Sequence, residues 1–374
     1  MATQTPSLRA VLVSARSSPY IGGVETHVHE VAPRLARAGV QVTILSTDPG
    51  GRLPRQECWA GVQVRRVRSW PSKRDYYFAP GVHRAIVQGS WDLVHCQGYH
   101  TLVAPMAMLA AWRSGVPYVV TLHSGGHSSR VRTALRPLQC AVLRPLLARA
   151  RRIVAVSAFE ADLFCARLRL PSDRFVIIPN GCQLPTPADP PDARHAGPLL
   201  VSVGRLERYK GHHRLISALP VLRAAYPDVR LQIVGSGPYE SALRRMARQL
   251  GVADRVTIQA VAANDREAMA ALLARASLVS LLSEHESQGV AILEALALGR
   301  PVLVADTSAL RELAEHQLAR VIPLTSTPAE VARAVVAQLR QPMPAARVVL
   351  PTWDDCAAAL LALYRSVAKA NSCE

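Results

Sequence analysis

The chain is poor in lysine. Only Lys73, Lys210 and Lys369 occur in 374 residues, yet lysine and arginine together number 44 and the net charge is +17. The positive charge is therefore arginine. It reads either as a drift in composition towards arginine and alanine or as a surface for an anionic partner. Aromatic residues are also scarce, at 5%. With few rings to stack on bases, and no zinc-finger or RNP pattern, nucleic acid is not an expected partner. The seven cysteines are scattered, odd in number and never spaced C-x-x-C, which speaks against a thiolate zinc site and for a reducing compartment. Asp-x-Asp, H-E-x-x-H and spaced Cys/His clusters are missing, so no metal is expected. Long apolar runs are missing too. The longest, around residues 101–112, is too short to cross a bilayer, and the N-terminal one is too short for a signal peptide. A cytoplasmic location is the expectation.

What the chain does have is a rhythm. Apolar strand-like runs at 9–15, 40–47, 91–97, 117–123 and 152–158 alternate with helical patterns such as 24–39. This is the βαβ signature of a mainly parallel sheet buried on both faces. The rhythm pauses in the proline-rich stretch 184–198 and restarts at 199–205, 229–237, 255–261, 276–283 and 300–306. The expected architecture is α/β, two doubly wound Rossmann-like domains facing a cleft. Their bounds are 1–183 and 199–350, joined by a linker at 184–198. A final helical segment, 351–374, crosses back to the first domain. Segments 48–80 and 124–150 carry no readable code and are taken as loops. Ligands of such sheets bind beyond the carboxyl ends of the strands.

Chemistry gathers at four of those ends. In SVGRLERYKG (202–211), Arg205 and Lys210 flank a strand-to-helix turn. Two cations beside a helix N-terminus suit a di-anion. Gly22 and Gly23 lie between the first strand and its helix, and read either as a plain turn or as a phosphate cradle. They form neither G-x-G-x-x-G nor a Walker A loop. VGSGPYE (234–240) is a similar turn with its third glycine missing, read as structural or as forming a wall of the site. His123 closes a buried strand, where it is either a satisfied core residue or a group facing a ligand.

The fourth place is ESQGVAILE (286–294). Glu286 lies in the loop after a strand, and a helix then runs from about Gln288 to Leu298, capped by Gly299. Eight residues of helix rise roughly 12 Å. A glutamate inside GVAILEALAL must be paired or neutralised. Two carboxylates at that separation can bracket an extended molecule carrying hydroxyls at both ends and negative charge between. A sugar nucleotide has that form.

Together, GRLERYKG, the E-x7-E pair Glu286 and Glu294, the following EALALGRPVLV, the Gly22–Gly23 turn, TLHSGG, VSAFEADLF and VIIPNGCQ resemble the retaining GT-B glycosyltransferases of family 4 (glycosyl transferases group 1). The resemblance covers nearly the whole chain. It implies a nucleotide diphosphate sugar as donor in the second domain and a hydroxyl acceptor, of unknown identity, in the first. Arg205 and Lys210 would hold the diphosphate with the backbone at Gly22 and Gly23. Glu286 would contact the transferred sugar and Glu294 the ribose. His123 would lie beside the reacting sugar and Val261 beside the base. Ser287, Gln288, Gly289 and Val290 would line the sugar–phosphate site. Transfer would retain configuration without metal or other cofactor. Two departures bear on the donor sugar: Gln288 replaces the family's aromatic, and DTSALRE (306–312) lacks its glycines.

Alternatives on the same architecture are a sugar-nucleotide epimerase or hydrolase, and a nucleotide-sugar-binding protein at a membrane surface. The second draws on residues 128–152, with seven arginines and no acid. That segment offers a peripheral contact to anionic membrane, but Pro137 and Pro145 argue against one long helix there.

Overall fold

A computed structural model describes residues 7–20, 22–71, 77–124, 130–186, 197–262, 265–343 and 349–372. The chain divides into two compact units: residues 1–124, 135–181 and 351–374, and residues 125–134 with 182–350. Most of the proline-rich 184–198 stretch lies outside the described residues.

The first unit is built on eight strands: β1 (Arg9–Val13), β2 (Gln41–Asp48), β3 (Gln56–Trp59), β4 (Val62–Arg68), β5 (Leu93–Gln97), β6 (Tyr118–Thr121), β7 (Arg152–Ala155) and β8 (Phe175–Ile177). Their order is β3-β4-β2-β1-β5-β6-β7-β8, and β3 alone runs antiparallel to its neighbour. Five helices accompany them: α1 (Gly23–Arg37), α2 (Pro80–Val87), α3 (Val103–Arg113), α4 (Arg130–Leu147) and α5 (Ala158–Leu168). The central strands are apolar at successive positions because both faces are covered. α1 forms because Val28, Val31, Ala32 and Leu35 repeat at helical spacing, and all four are buried.

Two loop assignments are corrected here. Residues 48–80 contain the β3–β4 hairpin, turned by Ala60 (φ 49°) and Gly61 (φ 78°). Two residues at positive φ match the twist of a two-residue hairpin, but Ala-Gly is not the Asn-Gly pair that signals one. Residues 130–147 form one continuous helix through Pro137 and Pro145. Both prolines lie on its exposed side, where water can reach the carbonyls left without a donor. The other side is anchored by Cys140, Leu143 and Leu147.

The second unit has six parallel strands, β9 (Leu199–Val203), β10 (Arg230–Val234), β11 (Val256–Gln259), β12 (Leu278–Leu281), β13 (Val302–Ala305) and β14 (Arg320–Ile322), in the order β11-β10-β9-β12-β13-β14. Its helices are α6 (His212–Ala225), α7 (Glu240–Gln249), α8 (Arg266–Arg275), α9 (Val290–Ala297), α10 (Leu310–Glu315) and α11 (Pro328–Arg340). The winding reverses between β9 and β12. That reversal opens a crevice at the carboxyl edge, and the loops leaving these two strands border it.

The last helix, α12 (Trp353–Ser372), belongs to the first unit, where Trp353, Leu360 and Tyr364 are buried in the core cluster that includes Val28, Val31 and Leu35 of α1. Arg34 and Asp354 pair at 2.8 Å. Gly181 has no side chain for a specific reason: a Cβ there would run into the backbone at Trp353.

Candidate functional site

Lys210 sits on the loop that leaves β9, and Glu286 on the loop that leaves β12. The sheet's switch point therefore brings them together, and Lys210 Nζ lies 2.7 Å from Glu286 Oε1. Both side chains are largely buried, at 15% and 11% exposure. Burial works against the ammonium, but Glu286 outweighs it, with Tyr209 adding to the effect, so the Lys210 pKa is raised and the group stays charged.

The surrounding backbone is laced to hold this pair. The Tyr209 carbonyl accepts from Glu284 N–H at 2.8 Å, and Ser308 Oγ accepts from Glu286 N–H at 2.8 Å. His212, fully buried, lies 2.8 Å from Ser202 Oγ and 3.2 Å from the Arg205 carbonyl. Burial pushes its pKa down to about 4. Gly211 takes φ 76°, and a Cβ on it would strike the Leu282 carbonyl oxygen. The VGSG turn proves to be a buttress. Gly204 N–H donates to the Val234 carbonyl and Leu206 N–H to the Ser236 carbonyl, both at 2.9 Å. A Cβ at Gly237 would lie 2.6 Å from the Leu206 carbonyl oxygen.

Arg205 stands apart from the tight pair. Its side chain is half exposed, with Tyr209 Oη at 3.2 Å and Glu207 at 3.4 Å. Its charge still opposes that of Lys210. Gly289, at φ 78°, begins α9, and no side chain caps the helix. The helix starts two residues later than the sequence suggested, because Gly289 is left-handed. Ser287 and Val290 are half-buried and Gln288 is buried. Val261 packs on the core cluster that contains Leu293.

Glu294 is 4% exposed. Its partner is Arg266, with Nη2 2.6 Å from Oε1. Neither Arg266 nor His212 stood out in the sequence. A buried glutamate demanded a cation, but arginine is too common here for the partner to be picked out. The first histidine of KGHH carried no signal.

In the first unit, Gly22 is extended (φ 171°) and precedes α1. A Cβ there would meet only the flexible carboxylate of Glu25, while at Gly23 it would meet nothing within 4 Å. Glu25 pairs with Arg16 at 3.1 Å. His123 follows β6 at φ 45°. Its Nε2 lies 2.8 Å from Oε1 of Gln97, which ends the neighbouring β5, and its ring meets His27 edge-on at 4.8 Å. His95 lies 2.5 Å from Tyr364 Oη and 2.7 Å from Thr121 Oγ1. Glu160, also buried, accepts from Ser124 N–H at 2.5 Å and from Val156 N–H at 2.9 Å.

Burial lowers the pKa of His123 well below the ordinary histidine value, that of His27 to about 4 and that of His95 to about 3. These imidazoles are neutral in the folded chain, whereas the unfolded chain takes up protons near 6.5. Stability is therefore complete above about pH 6.5 and is lost as pH falls towards 4. Thermal melts from about pH 7.5 to about pH 5 should show a steadily falling Tm. A flat Tm would contradict the assignment.

Residues 21–184 match the family described as Glycosyltransferase Family 4, and residues 189–348 match Glycosyl transferases group 1. A glycogen synthase of Mycobacterium tuberculosis is 33% identical over 337 residues, covering 82% of this chain and 80% of the relative. The chain belongs to glycosyltransferase family 4. A GDP-mannose:cellobiosyl-diphosphopolyprenol alpha-mannosyltransferase of Xanthomonas oryzae is 32% identical over 83% of this chain and 81% of its own length. Among solved structures, sucrose-phosphate synthase from Thermosynechococcus elongatus superposes with a TM-score of 0.79 at 21% identity, covering 97% of this chain and all of that one. Anabaena HepE with UDP and glucose gives 0.72 at 19% identity, covering 98% of each. The fold is GT-B, and this family 4 member is a glycosyltransferase.

Proposed function

We propose that the chain moves a sugar from a nucleotide diphosphate sugar to a hydroxyl acceptor, with retention of configuration and without a metal. The observation that carries this is the buried Lys210–Glu286 pair at the switch point of the second unit, beside the uncapped start of α9. An ammonium has three donors, so Lys210 can keep Glu286 and still meet a phosphate oxygen. As the bond from C1 to the phosphate oxygen breaks, charge builds on the leaving diphosphate. Lys210, Arg205 and the N–H groups of Ser287 to Val290 are the fixed donors that answer it. Glu286 is then placed for the hydroxyls of the transferred sugar, Glu294 for the ribose, and Val261 for the base.

The acceptor oxygen bonds to C1 on the face the phosphate leaves, and its proton passes to the departing phosphate oxygen. Within the first unit, His123, neutral and held by Gln97, can hydrogen-bond a hydroxyl, and the Gly22–Gly23 backbone can donate to an anion. The test is a panel of nucleotide sugars screened for thermal protection, followed by turnover with and without EDTA. A protecting donor consumed equally in both conditions is expected. Strict dependence on added metal would refute the metal-free reading.

The relatives' names cover acceptors as different as glycogen and inositol phosphate, so the acceptor class rests on this chain's own surface. Leu135, Leu138 and Val142 project from α4 at 53%, 61% and 68% exposure. They lie within a segment that carries seven arginines and no acid, and Arg149 stacks over the half-exposed Trp112 at 4.6 Å. Among the described residues no helix is long and apolar enough to cross a membrane. We read this face as a peripheral contact with anionic lipid on the cytoplasmic side. Sedimentation with phosphatidylglycerol vesicles should occur at low salt and weaken with added salt and in Leu138→Gln/Val142→Gln. Binding that is equal on neutral vesicles would contradict it.

A further inference from the structure

Glu294 is a carboxylate in an apolar helix, and its side chain is 5% exposed. A carboxylate so placed would take up a proton or turn aside unless a cation held it. Arg266 is that cation. It is the first residue of α8, and the preceding Asp265 caps this helix by accepting from Ala268 N–H at 2.9 Å, which fixes the backbone that bears Arg266. The same Nη2 that reaches Glu294 also lies 3.4 Å from the Gln183 carbonyl. The guanidinium is thus tethered to two separate segments. Cys182 walls the site, its thiol pushed up to about 12 by burial and by the charge of Glu294. Arg266 is 22% exposed, so the pair is open on its cationic side.

We propose that Arg266 is the positioning residue for ribose recognition. By holding Oε1 it fixes Glu294 in one orientation, so that the carboxylate accepts from a ribose hydroxyl without first reorganising. This deepens the reading of the second unit as a nucleotide site and rests on it. Discrimination between ribose and deoxyribose then depends on Arg266 as much as on Glu294, although only Glu294 touches the sugar.

Isothermal titration of the full chain with UDP, 2′-deoxy-UDP and inorganic pyrophosphate tests it, with GDP and 2′-deoxy-GDP in parallel. The wild type should prefer the ribonucleotide. Arg266→Gln should weaken that nucleotide about tenfold, the loss of one charge-assisted contact. It should leave pyrophosphate unchanged and so shrink the preference, as Glu294→Gln should. Arg266→Lys, which keeps the charge, should restore part of it. The proposal is overturned if Glu294→Gln abolishes the preference while Arg266→Gln retains it. It is also overturned if Arg266→Gln weakens all ligands by one factor, as a purely structural role would. A wild type that shows no preference, or binds neither nucleotide, would instead bring down the nucleotide reading of Glu294 itself.

Discussion

Replacing Lys210 with alanine should lower kcat by roughly 10²–10³ and leave the chain folded. The change removes the one ammonium at the switch point, 2.7 Å from Glu286. The proposed reaction gathers charge on the leaving diphosphate as the sugar departs, and only donors already in place lower that barrier. Arg205 cannot substitute, since it is half exposed and engaged with Tyr209 and Glu207. The damage extends to Glu286, which would be left as a buried carboxylate without its cation and would rotate away from the sugar hydroxyls. The loss should therefore appear in kcat more than in donor KM, because the interaction strengthens as charge develops. Steady-state kinetics with a protecting donor, alongside circular dichroism, checks this. Turnover within about twofold of wild type would remove Lys210 from the chemistry.

The second large effect is one of stability. Gly211→Ala should destabilise the second unit by about 2–5 kcal/mol, the sum of left-handed backbone strain and overpacking. Its φ is 76°, and the new Cβ would run into the Leu282 carbonyl, which is backbone and cannot step aside. On the scale of a domain this size, Tm should fall by roughly 5–20 °C. Gly251 provides the comparison. It has φ 65° with nothing within 4 Å, so Gly251→Ala should cost only the strain, about 1–2 kcal/mol. Because Gly211 joins Lys210 to α6, activity should fall even below the melting range. Equal Tm values for the two variants would show that the Leu282 contact is not the constraint.

The βαβ rhythm made the buried parallel strands legible, because a strand covered on both faces must be apolar along its length. It also placed Arg205, Lys210 and Glu286 on loops at strand ends, and Glu294 inside the helix that follows. Edge strands escaped notice for the opposite reason. The edge strand β3 reads QECW with only Glu57 half-buried, β4 beside it reads VQVRRVR with its apolar run broken by three arginines of which Arg66 is buried against Glu57, and their turn uses alanine at a position where asparagine is the usual signal. α4 was hidden by two prolines that an exposed helix face tolerates. The partner of Glu294 was predictable in kind but not in number. Arg266 lies 28 residues earlier, and only the packing of α8 beside α9 selects it from so many arginines. His212 was invisible in the same way, since its role is to hold a backbone carbonyl.

The central claim is that the second unit grips a diphosphate with Lys210 and Arg205, while Glu294 reads the ribose. Titrating the wild type and Lys210→Ala with UDP, GDP and the corresponding monophosphates measures it most directly. The account predicts that one diphosphate binds at least about tenfold more tightly than its monophosphate, and that this advantage collapses in Lys210→Ala. Equal affinity of wild type and variant for the diphosphate, or no advantage of diphosphate over monophosphate in the wild type, would contradict it.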